Sequence, residues 1–324
     1  MRDALLSWLT TYPADRAAKP RLKRGTASHQ AVIYDVPEAL TAHIVHRDRF
    51  QPKGSTGPSS WAEISWVAVV DQLISTTTQD GFYVTYLLSA DGERLALSIQ
   101  QGCALLEKKV GRENALAELK RRAQLMRTRG PDTPSRLNTD DIDLGAYSKG
   151  HKFGPLYEAG HVLGRTYQAD ALPSDEELIG DFKAILHAHI TIAANGGPTS
   201  LESMVEAAKA DGLGKADLSY VKRYNLHRVA ERNAAHAKAV KAHYPDICMG
   251  CFTDMTAVYG ETGAEMLDAH HLTAIGHLAE NEMARFTVED FAVLCPNCHR
   301  IIHRLVDSSD LEKLQAIVRR EWAE

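Results

Sequence analysis

The chain has 324 residues, 44% hydrophobic and 24% charged, with a net charge of −5. This is ordinary globular composition, long enough for two domains. No apolar run approaches the roughly 20 residues that a membrane span needs, and five cysteines are too few and too clustered for a disulfide scaffold.

The opening stretch MRDALLSWLTTYPADRAAKP carries acidic residues, a short apolar run and no small-residue cleavage site. It reads as an amphipathic helix rather than a signal peptide, so the expected location is the cytoplasm. QPKGSTGPSS at 51–60 reads as a loop. Three short β-branched and aromatic runs follow, WAEISWVAVVD, GFYVTYLLSA and ERLALSIQQG. They predict antiparallel strands, the last two joined at Asp91-Gly92. Alternation places Tyr83 and Thr85 on one side of their strand and Phe82, Val84 and Tyr86 on the other.

From Ala104 the period becomes helical and runs to Gly130. DIDLGAYSKGHKFGPLYEAGHVLGRTY reads as irregular, and PSDEELIGDFKAILHAHITIAANGG as a helix with Ser174 as N-cap and Gly196 as its stop. The expectation is an α+β fold in three parts. Residues 1–197 form a domain with a mixed sheet and helices, 198–240 a helical linker, and 241–324 a C-terminal domain. Cys103, alone after a strand-like run, reads as a small apolar residue.

The net charge argues weakly against a nucleic-acid partner, but phosphate contact needs only a local basic strip. Basic clusters occur at Lys19, Arg21, Lys23 and Arg24, at Arg47, Arg49 and Lys53, and at Lys222, Arg223, Arg228 and Arg232. Each is either solvated surface charge or a phosphate contact. Lys23, Arg24, Lys53, Arg228 and Arg232 are the candidates for a DNA backbone.

The other four cysteines form two CxxC pairs, Cys248/Cys251 and Cys295/Cys298. Each CxxC turn aims two thiolates at one point, and two turns complete the tetrahedron that Zn²⁺ prefers. Redox thiols are the alternative, though a redox CxxC usually stands singly at a helix start beside a strand. His270 and His271 lie between the pairs, and His299 and His303 follow the second. IIHRLVDSSDLEKLQAIVRREW reads as one helix, which puts His299 and His303 on one face. Two such histidines and one from a strand form a second, open metal site.

The segments CMGC, DAHHL and DFAVLCPNCHRIIH, within about 242–305, resemble the cysteine-bearing branch of the HNH (ββα-metal) nucleases. The resemblance implies a ββα-metal domain with structural zinc on Cys248, Cys251, Cys295 and Cys298. It implies a catalytic divalent cation such as Mg²⁺, Mn²⁺ or Ni²⁺ on His270, His299 and His303. It implies His271 as the general base for the attacking water. The family usually has Asn where this chain has Asp290, which accepts hydrogen bonds but cannot donate them when ionised.

The run WAEISWVAVVDQLISTTTQDGFYVTYLLSADGERLALSIQQG, with IDLGAYSKGHKFGPLYEAGHVLGRTY, resembles the N-terminal DNA-binding domain of McrB-type restriction GTPases and their HNH-fused relatives, over about residues 5–190. That family binds duplex DNA carrying methylated or hydroxymethylated cytosine and flips the modified base into an aromatic and aliphatic pocket. By position, Trp66, Tyr83 and Leu87 are the implied pocket residues. The loop GSTGPSS lacks the tyrosine the McrB domain has there, and Tyr147 and Tyr157 are candidate substitutes. Trp61 and Tyr86 are further aromatics, for which sheet packing is the competing explanation.

Together these readings lead to the expectation of a modification-dependent restriction endonuclease. One HNH site cuts one strand, so a double-strand break requires a homodimer or two binding events. The alternatives are an HNH nuclease of another specificity, for unmodified sequence or phosphorothioate DNA, and a non-catalytic zinc-stapled DNA-binding protein.

Overall fold

The computed structural model describes residues 1–18, 23–200, 203, 240–272 and 288–318, apart from positions 46, 48, 73, 76, 146, 149–152 and 306. The chain divides into two compact units, Met1–Ala193 and Ala194–Glu324. Among the described residues, no helix is long and apolar enough to cross a membrane.

The first unit opens with α1 (Arg2–Ala18), which buries Leu5, Trp8, Leu9 and Tyr12. The short helices α2 (Ala27–Gln30) and α3 (Val36–Thr41) follow, joined by a π turn. Next come β1 (Phe50–Ser55), β2 (Trp66–Asp71), β3 (Phe82–Leu88) and β4 (Arg94–Gln101). After α4 (Ala104–Val110), α5 (Arg112–Arg127) and α6 (Gly154–Gly160), β5 (His161–Gln168) and α7 (Asp175–Ala194) close the unit.

The five strands form one sheet in sequence order, and every pairing is antiparallel. The expectation of a mixed sheet is corrected: each strand follows its spatial neighbour around the meander, so no parallel crossover arises. Two strands lie in stretches that read as loop or irregular. β1 contains Pro52 and Gly54 and occupies an edge, where a missing N–H leaves no ladder bond unmade. β5 carries Gly164 mid-strand, where a Cβ would stand 2.0 Å from the Leu97 carbonyl oxygen. The predicted helix 104–130 is two helices, because Gly111 at φ 81° turns the chain between them. Ser174 does cap α7, its hydroxyl accepting from the Glu177 amide.

The register defines two different sheet faces. One presents Val67, Val69, Val84, Tyr86, Leu97 and Ile99, all at most 1% exposed, and forms the core. α7 docks on it through ionic anchors. Arg49 donates twice to Asp71 at 3.0 and 2.8 Å, and His189 meets the same carboxylate at 3.2 Å. Asp181 receives Arg136, Arg165 and the Tyr167 hydroxyl. The other face is polar in its central row, where Lys53, Ala68, Thr85, Ser98 and Gly164 lie side by side.

In the second unit α8 (Met255–Tyr259) follows the first CxxC turn. β6 (Asp268–His271) and β7 (Phe291–Leu294) pair antiparallel, and α9 (Pro296–Ile302) and α10 (Leu311–Ile317) follow. The single helix predicted from Ile301 onward is broken after Ile302. Asp307 accepts the Ser309 amide in a turn, and Asp310 caps a new helix by accepting from the Lys313 amide. The linker helices predicted within 198–240 lie almost wholly outside the described residues.

Candidate functional site

On the polar face, Trp66, Tyr83 and Leu87 line one small cavity together with Thr78, Thr85, Gln100 and Tyr157. The register explains the grouping: Trp66 pairs with Leu87 and Tyr83 with Gln100, so residues two apart on adjacent strands meet on one face. The Tyr83 hydroxyl donates to the Thr78 carbonyl at 3.0 Å, and Thr85 donates to the Val67 carbonyl at 3.1 Å. Burial pushes the Tyr157 hydroxyl up and the Tyr83 hydroxyl well above its usual value, so both stay neutral and act as shape. The cavity measures about 30 Å³, room for one or two waters. Trp66, Thr78 and Tyr157 are its half-buried members, and Tyr83, Thr85, Leu87 and Gln100 are buried. The first three form its most exposed side.

In the second unit all four cysteine sulfurs lie within 4.8 Å of one another. A tetrahedron of zinc–sulfur bonds near 2.3 Å has sulfurs about 3.8 Å apart, and Cys251 and Cys295 stand at 3.9 Å. The Cys295 amide donates to Cys248 Sγ, and the Cys298 amide to Cys295 Sγ. The first turn closes tightly, with the Phe252 amide on the Cys248 carbonyl at 2.7 Å and Phe252 itself at φ 60°. Gly250 lets the two turns meet, since a Cβ there would stand 2.8 Å from Leu314 and 3.1 Å from Cys298 Sγ. Hydrogen bonds from Cys295 and Cys298 hold the Cys248 thiol well below its usual value, and the same contact pushes Cys295 up to about 11. Such a set carries four negative charges only around a cation, so its residues fit a zinc ion.

A second cluster brings His270, His299 and His303 together, one ring nitrogen of each within 4.8 Å of the others. His270 comes from β6, His299 from α9, and His303 from the residue that ends α9. The ring centroids stand 4.8–5.2 Å apart. The Ser308 carbonyl, which only accepts, lies 2.8 Å from His270 Nε2 and assigns the proton there, leaving the lone pair on Nδ1. Asp268 Oδ2 lies 3.2 Å from His299 Nδ1 and assigns the proton to that nitrogen. His299 Nε2 then faces His303 Nε2 at 3.1 Å. Convergent imidazole nitrogens with a carboxylate behind one ring could hold a metal ion.

Residues 8–193 match the family model described as "MrcB-like, N-terminal domain", more than half of the chain. The chain belongs to the MrcB-like N-terminal domain family. No curated protein and no solved structure matches it. The MrcB-like domain points to DNA binding and to a relation with modification-dependent restriction systems. It coincides with the first unit, so the sheet-face cavity lies inside it.

The structure thus brings Trp66, Tyr83 and Leu87 to one cavity of the MrcB-like domain and adds Tyr157, one of the two substitute tyrosines. Tyr147 lies nearby, its hydroxyl on Glu158, and Tyr86 is in the core. His271 does not join the three-histidine cluster. It alternates to the other face of β6, fully buried, and meets the Phe291 ring edge-on at 4.6 Å. Asp290 stands at the entry to β7, where its carbonyl accepts the Leu272 amide at 2.7 Å.

Of the basic candidates, Arg24 is exposed and Lys53 is half-buried on the cavity face of β1. The Lys23 ammonium donates to the carbonyls of Thr56, Gly57 and Ser60 and lies over Trp61, so its N–H groups hold the loop in this structure. Arg228 and Arg232 lie outside the described residues. Sequence reasoning missed Asp268, Ser308 and Gln100. Asp268 opens the DAHHL motif and Gln100 faces Tyr83 by strand register, so both had a signal; the Ser308 carbonyl had none.

Proposed function

We propose that this protein is a modification-dependent DNA endonuclease. Its MrcB-like domain admits a flipped methylated or hydroxymethylated cytosine to the cavity of Trp66, Tyr83, Leu87 and Tyr157. Its C-terminal unit hydrolyses a phosphodiester bond in the manner of the HNH nucleases. The observation that carries the catalytic half is the convergence of His270, His299 and His303 beside a four-cysteine cluster, on two antiparallel strands followed by a helix.

The four cysteines would hold zinc, fixing the turn that launches α9 and with it His299 and His303. The three histidines would hold a divalent cation such as Mg²⁺, Mn²⁺ or Ni²⁺, which supplies charge stabilisation to a scissile phosphate and its leaving oxygen. Asp268 and the Ser308 carbonyl set the tautomers of His299 and His270, so the donor nitrogens are aimed before the cation arrives. His271, buried on the other face of β6 against Phe291, keeps the role of general base that the HNH resemblance implies.

In the first unit, a methyl group on the base adds apolar area, worth roughly 1 kcal/mol per buried carbon, against the Trp66 and Leu87 walls. Extrusion costs a few kcal/mol, offset by phosphate contacts such as Lys53 and Arg24.

The test is digestion of otherwise identical DNAs carrying cytosine, 5-methylcytosine, 5-hydroxymethylcytosine or N6-methyladenine, with each of the three cations. Cleavage confined to the modified cytosines, and abolished by His303→Ala, is the expected result. Equal cleavage of all four would end the modification reading. No cleavage of any would leave a zinc-stapled DNA-binding protein.

A further inference from the structure

We propose that Gln100 reads the hydrogen-bonding edge of the base in the sheet-face cavity and selects an amino-bearing pyrimidine over thymine. The inference rests on the reading of that cavity as the modified-base site and assigns the residue that sets its chemical sense.

Gln100 is 1% exposed and lines the cavity opposite Tyr83. A carboxamide offers two N–H donors and two acceptor lone pairs. Nε2 donates to the Tyr157 carbonyl at 2.8 Å, and Oε1 receives the Ser98 hydroxyl at 3.3 Å. One N–H and one lone pair remain without a partner among the described residues. A buried amide satisfied by half is a poor element of a core and a ready element of a binding site.

The sense of the amide is locked. The Tyr157 carbonyl only accepts, so the atom beside it must be the nitrogen. Glycine at 160 leaves room for that nitrogen, since a Cβ there would stand 2.5 Å from Nε2. Support continues beneath. Ser98 Oγ lies 2.7 Å from His161 Nδ1, and His161 is 2% exposed. Burial pushes its pKa down to about 3, with Arg127 adding to the shift, so the ring is neutral. His161 Nε2 has no partner among the described residues. A buried orphan lone pair is more readily tolerated than an orphan N–H, which puts the proton on Nδ1, donating to Ser98. The Ser98 hydroxyl then remains a donor, shared between the Ile99 carbonyl at 3.0 Å and Gln100 Oε1.

The amide therefore presents an acceptor at Oε1 beside a donor at Nε2, in fixed order. Cytosine carries the complement, the N4 amino donor beside the N3 acceptor, with or without a 5-substituent. Thymine carries the reverse, an O4 acceptor beside the N3 donor. Accepting thymine would require the amide to turn over and to set its oxygen against the Tyr157 carbonyl. The walls of the cavity thus read the 5-substituent, and Gln100 reads the base that bears it.

The experiment is equilibrium binding of the full chain to duplexes that differ at one base opposite guanine: cytosine, 5-methylcytosine, thymine, or 5-methyl-2-pyrimidinone, which lacks the amino group. Wild type is expected to bind 5-methylcytosine at least roughly tenfold tighter than the last two. Gln100→Met, of similar shape with neither donor nor acceptor, is expected to lose that gap while keeping preference for 5-methylcytosine over cytosine. A melting curve checks that the variant folds, and if it does not, the amino-free base on wild type decides alone. Equal binding of 5-methylcytosine and its amino-free analogue by wild type overturns the role of Gln100. Indifference of wild type to methylation, unchanged in Trp66→Ala, overturns the pocket itself.

Discussion

Removing the metal is the sharpest perturbation of the second unit. Two thiolates at the Cys251–Cys295 separation of 3.9 Å repel by about 4 kcal/mol at an effective dielectric constant of 20. A divalent cation among the four sulfurs turns that repulsion into attraction. Structural zinc contributes about 10–16 kcal/mol to the folding of small domains, against a net stability of about 5–15 kcal/mol for a whole domain. The core of this unit depends on the cluster: Cys248, Cys295 and Cys298 pack with Leu267, Phe291, Leu294, Ile302 and Leu314. The prediction is that a strong chelator abolishes the calorimetric transition of the second unit and opens residues 240–318 to protease, while the transition of the first unit stays in place. Metal analysis should find one zinc lost per chain from the cysteine cluster. If that zinc is shown to leave and both transitions persist, or if the purified protein never held zinc, the cluster is not the staple of the unit.

Other outcomes follow from the same geometry. Asp71→Asn strands the 5%-exposed guanidinium of Arg49 and should cost about 3–5 kcal/mol in chemical denaturation. Burial alone would raise the Asp71 carboxyl, but Arg49 and the His189 hydrogen bond outweigh it and hold it well below the usual range. Its contribution is therefore full above the unfolded value of about 4 and lost as pH falls toward the folded value. Denaturation midpoints should drop below about pH 4 in wild type and respond less in Asp71→Asn. Gly250→Ala drives a methyl into Leu314 and Cys298 and should cost about 1–3 kcal/mol, read as faster release of zinc to a chromogenic chelator. Lys53→Ala should reduce the salt dependence of DNA binding by about one unit of slope. Lys23→Ala should leave the slope unchanged and lower the melting temperature instead.

The elements that were legible in the sequence are those whose signal is local. CxxC spacing is a property of four consecutive residues, and Asp91-Gly92 between alternating strands is a hairpin whatever surrounds it. β1 was not legible, because Pro52 and Gly54 are strand breakers everywhere except on an edge, and an edge is a fact about the whole sheet. β5 was hidden by Gly164, whose reason is the Leu97 carbonyl 67 positions earlier. The helix after Ile302 looked continuous because its apolar period survives the turn at Asp307–Asp310. His299 and His303 nevertheless remain neighbours, since they need only the last turn of α9. Trp66, Tyr83 and Leu87 were named by resemblance to a family. Gln100 needed only the register, because whatever pairs with Tyr83 must share its face.

The two faces of the sheet explain each other. A half-satisfied amide, a neutral buried histidine and a cavity of about 30 Å³ are costly features for one face of a small domain. They persist because the opposite face is pinned. Asp71 ties β2 to Arg49 and to α7 through His189, and Asp181 of α7 binds Arg165 and Tyr167 of β5. These anchors stand at both sides of the sheet and hold its strands to one helix. Breaking either would let the register loosen, and Tyr83, Gln100 and Trp66 would no longer meet around one space. Rigidity on the α7 face lowers the ordering cost of a ligand in the cavity on the other. Asp71→Asn should therefore weaken selective DNA binding at temperatures where the domain is still folded, although Asp71 lies on the face away from the cavity.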